Sequence, residues 1–386
     1  MKIGICGPVS ISSLQHLIFT ENRIKLNGLG GTPVNHQIAA LLQMGYSVDV
    51  YTLTPELLPG EEMIIEGENL KVFIGSYRKR ARQRCLDLFR KERRFLESSI
   101  ALSRPDIIHA HWQYEWGWAA VDSGFPTLLT CHDSPLHVLK VERDFYRAIR
   151  LVMATIVLRR AKNLTAVSPY TAGGLKLFTR KKITVVPNFE PHDVFSQYDG
   201  AKDIGEKVNI SMINNGFDAR KNVAKGVQAF AQYRKKYPLA QLHLYGGANG
   251  PGELGEIWSK ENNVESGVFF HGKQPFNVLM QSLKKADIFL HTSLEESCPM
   301  VLIEAMAMGI PVVAGEEAGG IPWMLKDGGG LLVNINSVED ITNALFEVSV
   351  ADNYKIHSLK AREMAEEKFS TEVVIKQYIK EYNKIV

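Results

Sequence analysis

"EESCPMVLIEAMAMGIPVVAG", residues 295–315, reads as a buried helix running into a buried strand, with a carboxylate, Glu304, set in the middle of the apolar helix. Pro299 suits a first helical turn, Ser297 or Cys298 stands at or beside the cap, and Gly309 followed by Pro311 stops the helix. Between those signals every residue except Glu304 is apolar, and "IFLHTS" and "PVVAG" flank the segment as strands. A helix so surrounded leaves Glu304 no route to water. Burying an unpaired carboxylate costs on the order of several kcal/mol, so the group needs hydrogen-bond donors. They come either from an internal lysine or arginine or from a ligand. Helical side chains lean toward the N-terminus, which aims Glu304 at the loop holding Glu295 and Glu296. The free N–H groups near Met300 and Val301 add a seat for an anion. A ligand with a diphosphate and several hydroxyls satisfies all three features.

Outward from this stretch, short β-branched runs alternate with longer amphipathic ones, the pattern of parallel sheets covered by helices. "KIGIC", "SVDVYTL", "LKVFIG", "DIIHAH", "PTLLTCH", "NLTAVS" and "ITVVPN" form one series of strands. "VNISMIN", "QLHLYGG", "VFFHGK", "IFLHTS", "PVVAGE" and "GGLLVN" form a second. With 386 residues, the chain exceeds the size of a single core and is read as two doubly wound domains. The join lies near "VVPNFEPHDVF", placing the domains at 1–188 and 189–369, with a helix over 370–386 that returns to the first. Two such domains facing each other predict a ligand in the cleft, at the carboxyl ends of the strands.

Composition narrows the class. A formal net charge of +3 argues against a general nucleic-acid binder. Four scattered cysteines form no CxxC pair, which gives neither a zinc ribbon nor a disulfide framework and fits a reducing compartment. Without a signal-peptide core or a spanning run, the expected location is the cytoplasm.

The stretch from Glu295 to Val333 resembles the E-x7-E signature of the retaining family-four glycosyltransferases of the GT-B fold. Glu296 and Glu304 match its spacing, and "EAMAMGIPVVAG" and "GLLV" follow as in the family. The resemblance implies a UDP- or GDP-type nucleotide-sugar donor and no required cofactor or metal. Glu304 would hold the ribose hydroxyls and Glu296 the hydroxyls of the transferred sugar. The backbone of Ser297, Cys298, Pro299, Met300 and Val301 would line sugar and diphosphate. Cys298 and Pro299 replace the family's usual Phe-Gly, and Trp323 a usual Glu.

"NNGFDARKN", residues 214–222, resembles the family's phosphate segment, so Lys221, helped by Arg220, would bind the donor diphosphate; Gly216 stands where an arginine is usual. Taken alone, the same residues are a turn with two solvated cations. Lys273 and Gln274, in "FFHGKQPFNVL", resemble the loop near the base. In the first domain, Gly30 and Gly31 resemble the glycine loop that approaches a ligand, with Thr32 able to cap the next helix. His132 matches the family's strand-end histidine beside the anomeric carbon or the acceptor, giving His132, Glu296 and Lys221 as catalytic candidates. His111, Trp112 and Asp133 join His132 on the acceptor side. His109 and His111, two apart on a strand, share a face, but no third metal ligand stands out. Trp112, Trp116 and Trp118 either stack on a saccharide or fill the core.

The run "RKRARQRCLDLFRKERR", residues 78–94, carries nine basic and two acidic side chains. Read as one helix with Leu86, Phe89 and Phe95 on one face, it either lies on an anionic membrane or packs on its own domain. The implied function is transfer of a sugar to a hydroxyl of a saccharide or lipid-linked acceptor, as in polysaccharide or lipopolysaccharide synthesis. The alternatives are a sugar-nucleotide epimerase and a non-catalytic nucleotide-sugar or membrane binder of the same fold.

Overall fold

Each run quoted above as a strand becomes one in the computed structural model, which describes all residues from Met1 to Val386. The chain divides into two units, Met1–Pro187 with Val374–Val386, and Asn188–Val373.

The first unit holds β1 (Lys2–Cys6), β2 (Ser47–Thr54), β3 (Glu62–Gly67), β4 (Leu70–Ser76), β5 (Ile107–His111), β6 (Thr127–Cys131), β7 (Asn163–Ala166) and β8 (Ile183–Val185). Their order in the sheet is β3-β4-β2-β1-β5-β6-β7-β8. All pairs are parallel except β3 with β4. Helices on both faces explain why β2 and β5 are almost wholly buried. β3 does not read as a strand in the sequence. Glu62 and Glu66 in "EMIIEG" give it the look of a solvated loop, and an antiparallel edge strand tolerates such charges. The carboxyl-terminal helix Thr371–Tyr382 buries Val374, Tyr378 and Tyr382.

The second unit holds β9 (Asn209–Ile213), β10 (Gln241–Tyr245), β11 (Val268–Gly272), β12 (Ile288–His291), β13 (Val312–Gly315) and β14 (Gly330–Val333). Their order is β11-β10-β9-β12-β13-β14, all parallel. In each sheet the chain winds outward from a central strand and then crosses to that strand's other side. The crossing points are β1/β5 and β9/β12, the switch points at which such sheets bind ligands.

The basic run does not form the continuous amphipathic helix expected of it. It breaks into Ala81–Leu86 and Arg90–Ser103 because Leu88 and Phe89 adopt φ values of 51° and 59°. The break drops Phe89 into the core and leaves Leu86 exposed, so the two share no face. Arg78 pairs with Glu92 and Asp87, and Arg84 lies over the Tyr77 ring. Trp116 and Trp118 are core residues, Trp118 lying under the Arg93 guanidinium at 4.0 Å. No helix is long and apolar enough to cross a membrane.

Candidate active site

In the second unit the loops after β9 and β12 are stitched together at the switch point. Leu294 N–H donates to the Arg220 carbonyl at 2.8 Å, and the Thr292 hydroxyl to the Lys221 carbonyl at 2.9 Å. The Asp218 carboxylate accepts from the N–H groups of Arg220 and Lys221, fixing the turn that presents both cations. Lys221 Nζ then reaches Glu296 Oε1 at 2.6 Å, with Arg220 at 3.9 Å and His291 Nε2 at 3.8 Å. Residues 75 apart in sequence thus form one compact charged cluster. Burial pushes the Glu296 carboxyl up, but His291, Lys221 and Arg220 outweigh it and hold it below its ordinary value. Burial lowers His291 to about 4, so near neutral pH the lasting attraction comes from the two cations. His291 was not singled out in the sequence; it is 2% exposed, and neither ring nitrogen has a hydrogen-bond partner.

The helix Met300–Ala307 starts just past Glu296, with Pro299 at its cap and no side chain occupying its first N–H groups. Ser297, Pro299, Met300 and Val301 are half-buried at this end. The Cys298 carbonyl is held by Asn188 Nδ2 at 2.8 Å, and burial pushes its thiol up to about 12. Gly320 N–H fixes the Glu296 carbonyl at 2.7 Å. Trp323 packs edge-on against Phe369.

Glu304 is 5% exposed, and burial alone raises its carboxyl to about 8. No lysine or arginine is paired with it, so an internal salt bridge does not account for it. Its titratable neighbour is Glu190, a fully buried carboxyl raised well above the ordinary range by burial and by Glu304. Sequence gave no sign of this pair, since Glu190 lies in the irregular "PNFEPHDVF" segment, which the Asn188–Cys298 bond brings against the helix. Lys273 and Gln274 stand apart, exposed at the carboxyl end of edge strand β11, where Gln274 Nε2 donates to the His271 carbonyl.

In the first unit, Gly28, Gly30 and Gly31 all have positive φ. At Gly30 (φ 86°) a side chain would meet open space, whereas at Gly31 (φ 103°) a Cβ would lie 2.1 Å from the Pro8 carbonyl oxygen. The loop is pressed onto the end of β1. Gly31 itself is the cap of helix Thr32–Gln43, and Thr32 does not cap it, being already inside the first turn. Gly31→Ala is therefore expected to destabilise the protein by roughly 1–3 kcal/mol, read as a lowered Tm, while Gly30→Ala costs less. Equal melting of the two would show that the Pro8 contact does not matter.

At the ends of β5 and β6, His111 Nδ1 lies 3.0 Å from His132 Nε2, and Trp112, held at φ 66°, stacks on His132 at 4.1 Å. Burial lowers His132 to about 3, leaving it neutral. Asp133 turns inward, accepting from Gln113 Nε2 and the Tyr114 hydroxyl, both at 2.7 Å. His109 is held by Gln37, Tyr382 and Thr130, none of them a metal ligand in that role.

Two family models match this chain. One, described as glycosyl transferases group 1, covers residues 195–363; the other, glycosyltransferase family 4, covers residues 31–191. N-acetyl-alpha-D-glucosaminyl L-malate synthase of Bacillus anthracis is 27% identical over 290 residues, 71% of this chain and 73% of that protein. Among solved structures, sucrose-phosphate synthase from Thermosynechococcus elongatus superposes with a TM-score of 0.79 at 21% identity, covering 100% of this chain and 98% of that one. HepE from Anabaena in complex with UDP superposes with a TM-score of 0.70 at 16% identity, each chain covered in full (100%). At such identities the structures speak for the fold alone.

Proposed function

The chain belongs to the glycosyltransferases of group 1 and family 4, with the GT-B fold, and on that premise we propose that it transfers a sugar with retention from a nucleotide-sugar to a hydroxyl group. The observation that carries this reading is the cluster Lys221–Glu296–Arg220 at the β9/β12 switch point, one helix start away from the buried Glu304. Lys221 has three N–H donors and spends one on Glu296, leaving two for a diphosphate. The uncapped N–H groups at Met300 and Val301 share that load, so the leaving group is neutralised without a metal ion. Glu304 receives the ribose hydroxyls and Glu296 those of the transferred sugar. The bond between the anomeric carbon and phosphate oxygen breaks as the acceptor oxygen bonds to that carbon, and the acceptor's proton passes to the leaving phosphate. The name of the Bacillus anthracis relative, N-acetyl-alpha-D-glucosaminyl L-malate synthase, supports a small hydroxyl compound as acceptor; a saccharide or lipid-linked acceptor is equally compatible with the donor half.

The test is release of nucleoside diphosphate from a panel of UDP- and GDP-sugars in the presence of chelator. Release from one donor, lost in Lys221→Ala, supports the reading. Tight donor binding without any turnover favours a non-catalytic binder, and isomerised donor favours an epimerase.

A further inference from the structure

Three histidines stand side by side at the ends of β5 and β6. The rings of His109 and His111 stack at 4.3 Å, and those of His111 and His132 lie 5.2 Å apart. The partners of His109 fix its tautomer. Its Nδ1 faces Gln37 Nε2, which can only donate, and the Tyr382 hydroxyl at 2.7 Å. Nδ1 therefore accepts. Its Nε2 carries the proton, donating to Thr130 Oγ1 at 2.6 Å, which in turn meets Thr165 Oγ1.

His111 and His132 share one hydrogen bond, between His111 Nδ1 and His132 Nε2. Both rings are kept neutral by burial, so one proton serves that bond. The remaining nitrogen of His111, Nε2, is sealed in the interior without a partner. If His132 were the donor, His111 would carry its own proton on that sealed Nε2, an orphaned N–H. With His111 as donor, only a bare ring nitrogen is left inside. Orphaned buried N–H groups are the rarer and costlier outcome. His132 is also the least enclosed of the three rings, so its own Nδ1 is the atom left for a ligand.

We infer that His111 Nδ1–H donates to His132 Nε2, so that His132 carries its own proton on Nδ1 and offers it to a ligand as a hydrogen-bond donor. His111 is then a positioning residue, and His132 cannot act as the base for the acceptor. Its N–H instead meets an oxygen of the sugar or the acceptor. That last step rests on the proposed placement of His132 at the transferred sugar; the tautomer does not.

Long-range proton–nitrogen NMR correlation on chain labelled with nitrogen-15 histidine reads the tautomer directly in the unmodified protein. His111→Phe and His132→Asn serve for assignment. The inference expects a protonated Nδ1 and a bare Nε2 on His132, and a protonated Nε2 there overturns it. Activity supplies a second arm, because the amide nitrogen of Asn falls near Nδ1 and that of Gln near Nε2. His132→Asn should retain about two- to tenfold more donor turnover than His132→Gln, with donor KM little changed, that factor being what one hydrogen bond supplies. Gln equal to or better than Asn contradicts the inference. Full turnover in His132→Ala would instead remove His132 from the site, with the NMR result still deciding the tautomer.

Discussion

Replacing Lys221 with alanine weakens binding of the nucleotide-sugar by about ten- to a hundredfold, the loss of one hydrogen bond between charged groups at roughly 1.5–3 kcal/mol. The fold should survive, because what holds this loop is backbone: the Lys221 N–H goes to Asp218 and its carbonyl takes the Thr292 hydroxyl. The side chain contributes charge only. Its removal also leaves Glu296 facing an incoming diphosphate with Arg220 at 3.9 Å as the remaining cation, so repulsion adds to the lost attraction. Arginine at 221 restores the charge but not the compact ammonium, and recovery should be partial. Titration calorimetry with nucleoside diphosphate and with the intact donor gives the measurement. An unchanged Kd would take Lys221 out of the site.

The second large effect is expected at Glu304. Alanine there should cost at least about a hundredfold in donor kcat/KM, since a carboxylate that receives two ribose hydroxyls contributes two strong hydrogen bonds. Glutamine, which keeps the volume and one acceptor oxygen, should fall between. Stability separates this from misfolding. The Glu304 carboxyl titrates at about 8 in the folded protein against 4.5 for the free group. The folded state thus holds a proton that the unfolded chain has released, and stability falls as pH rises from about 4.5 to about 8. Glu304→Gln has no such proton, so its Tm should gain on the wild type over that window. A variant that is as stable as the wild type or more so, yet binds donor poorly, places the defect in the site.

Much of the fold was legible because buried parallel strands are plain in sequence. "KIGIC" and "VNISMIN" are apolar runs with polar boundaries, and they became β1 and β9, the strands beside which both sheets change direction. The rest is set by tertiary context. β3 hid behind its two glutamates. The basic run looked like one helix because periodicity takes no account of backbone. Phe89 gives up a helical φ to reach the core, and no pattern of charges announces that. At the site, the helix that carries Glu304 was readable from Pro299 and Gly309, and the loop cations from the "DARKN" turn. Glu190 was not, since it meets Glu304 only after the chain has crossed from one element to another more than a hundred residues away. His291 reads as the end of an apolar strand, and nothing local distinguishes it from a packed histidine.

Proton counting during nucleotide binding tests the role of Glu304 most directly. Nucleoside diphosphate is titrated near pH 7 in buffers of different ionisation enthalpy, with Glu304→Gln as the reference that cancels the protons of the phosphate itself. Hydroxyl groups arriving at a carboxyl that titrates at about 8 favour its ionised form, so the wild type should release a sizeable fraction of a proton that the variant does not. Equal proton release by the two proteins, with equal affinity, would mean that no sugar hydroxyl reaches Glu304.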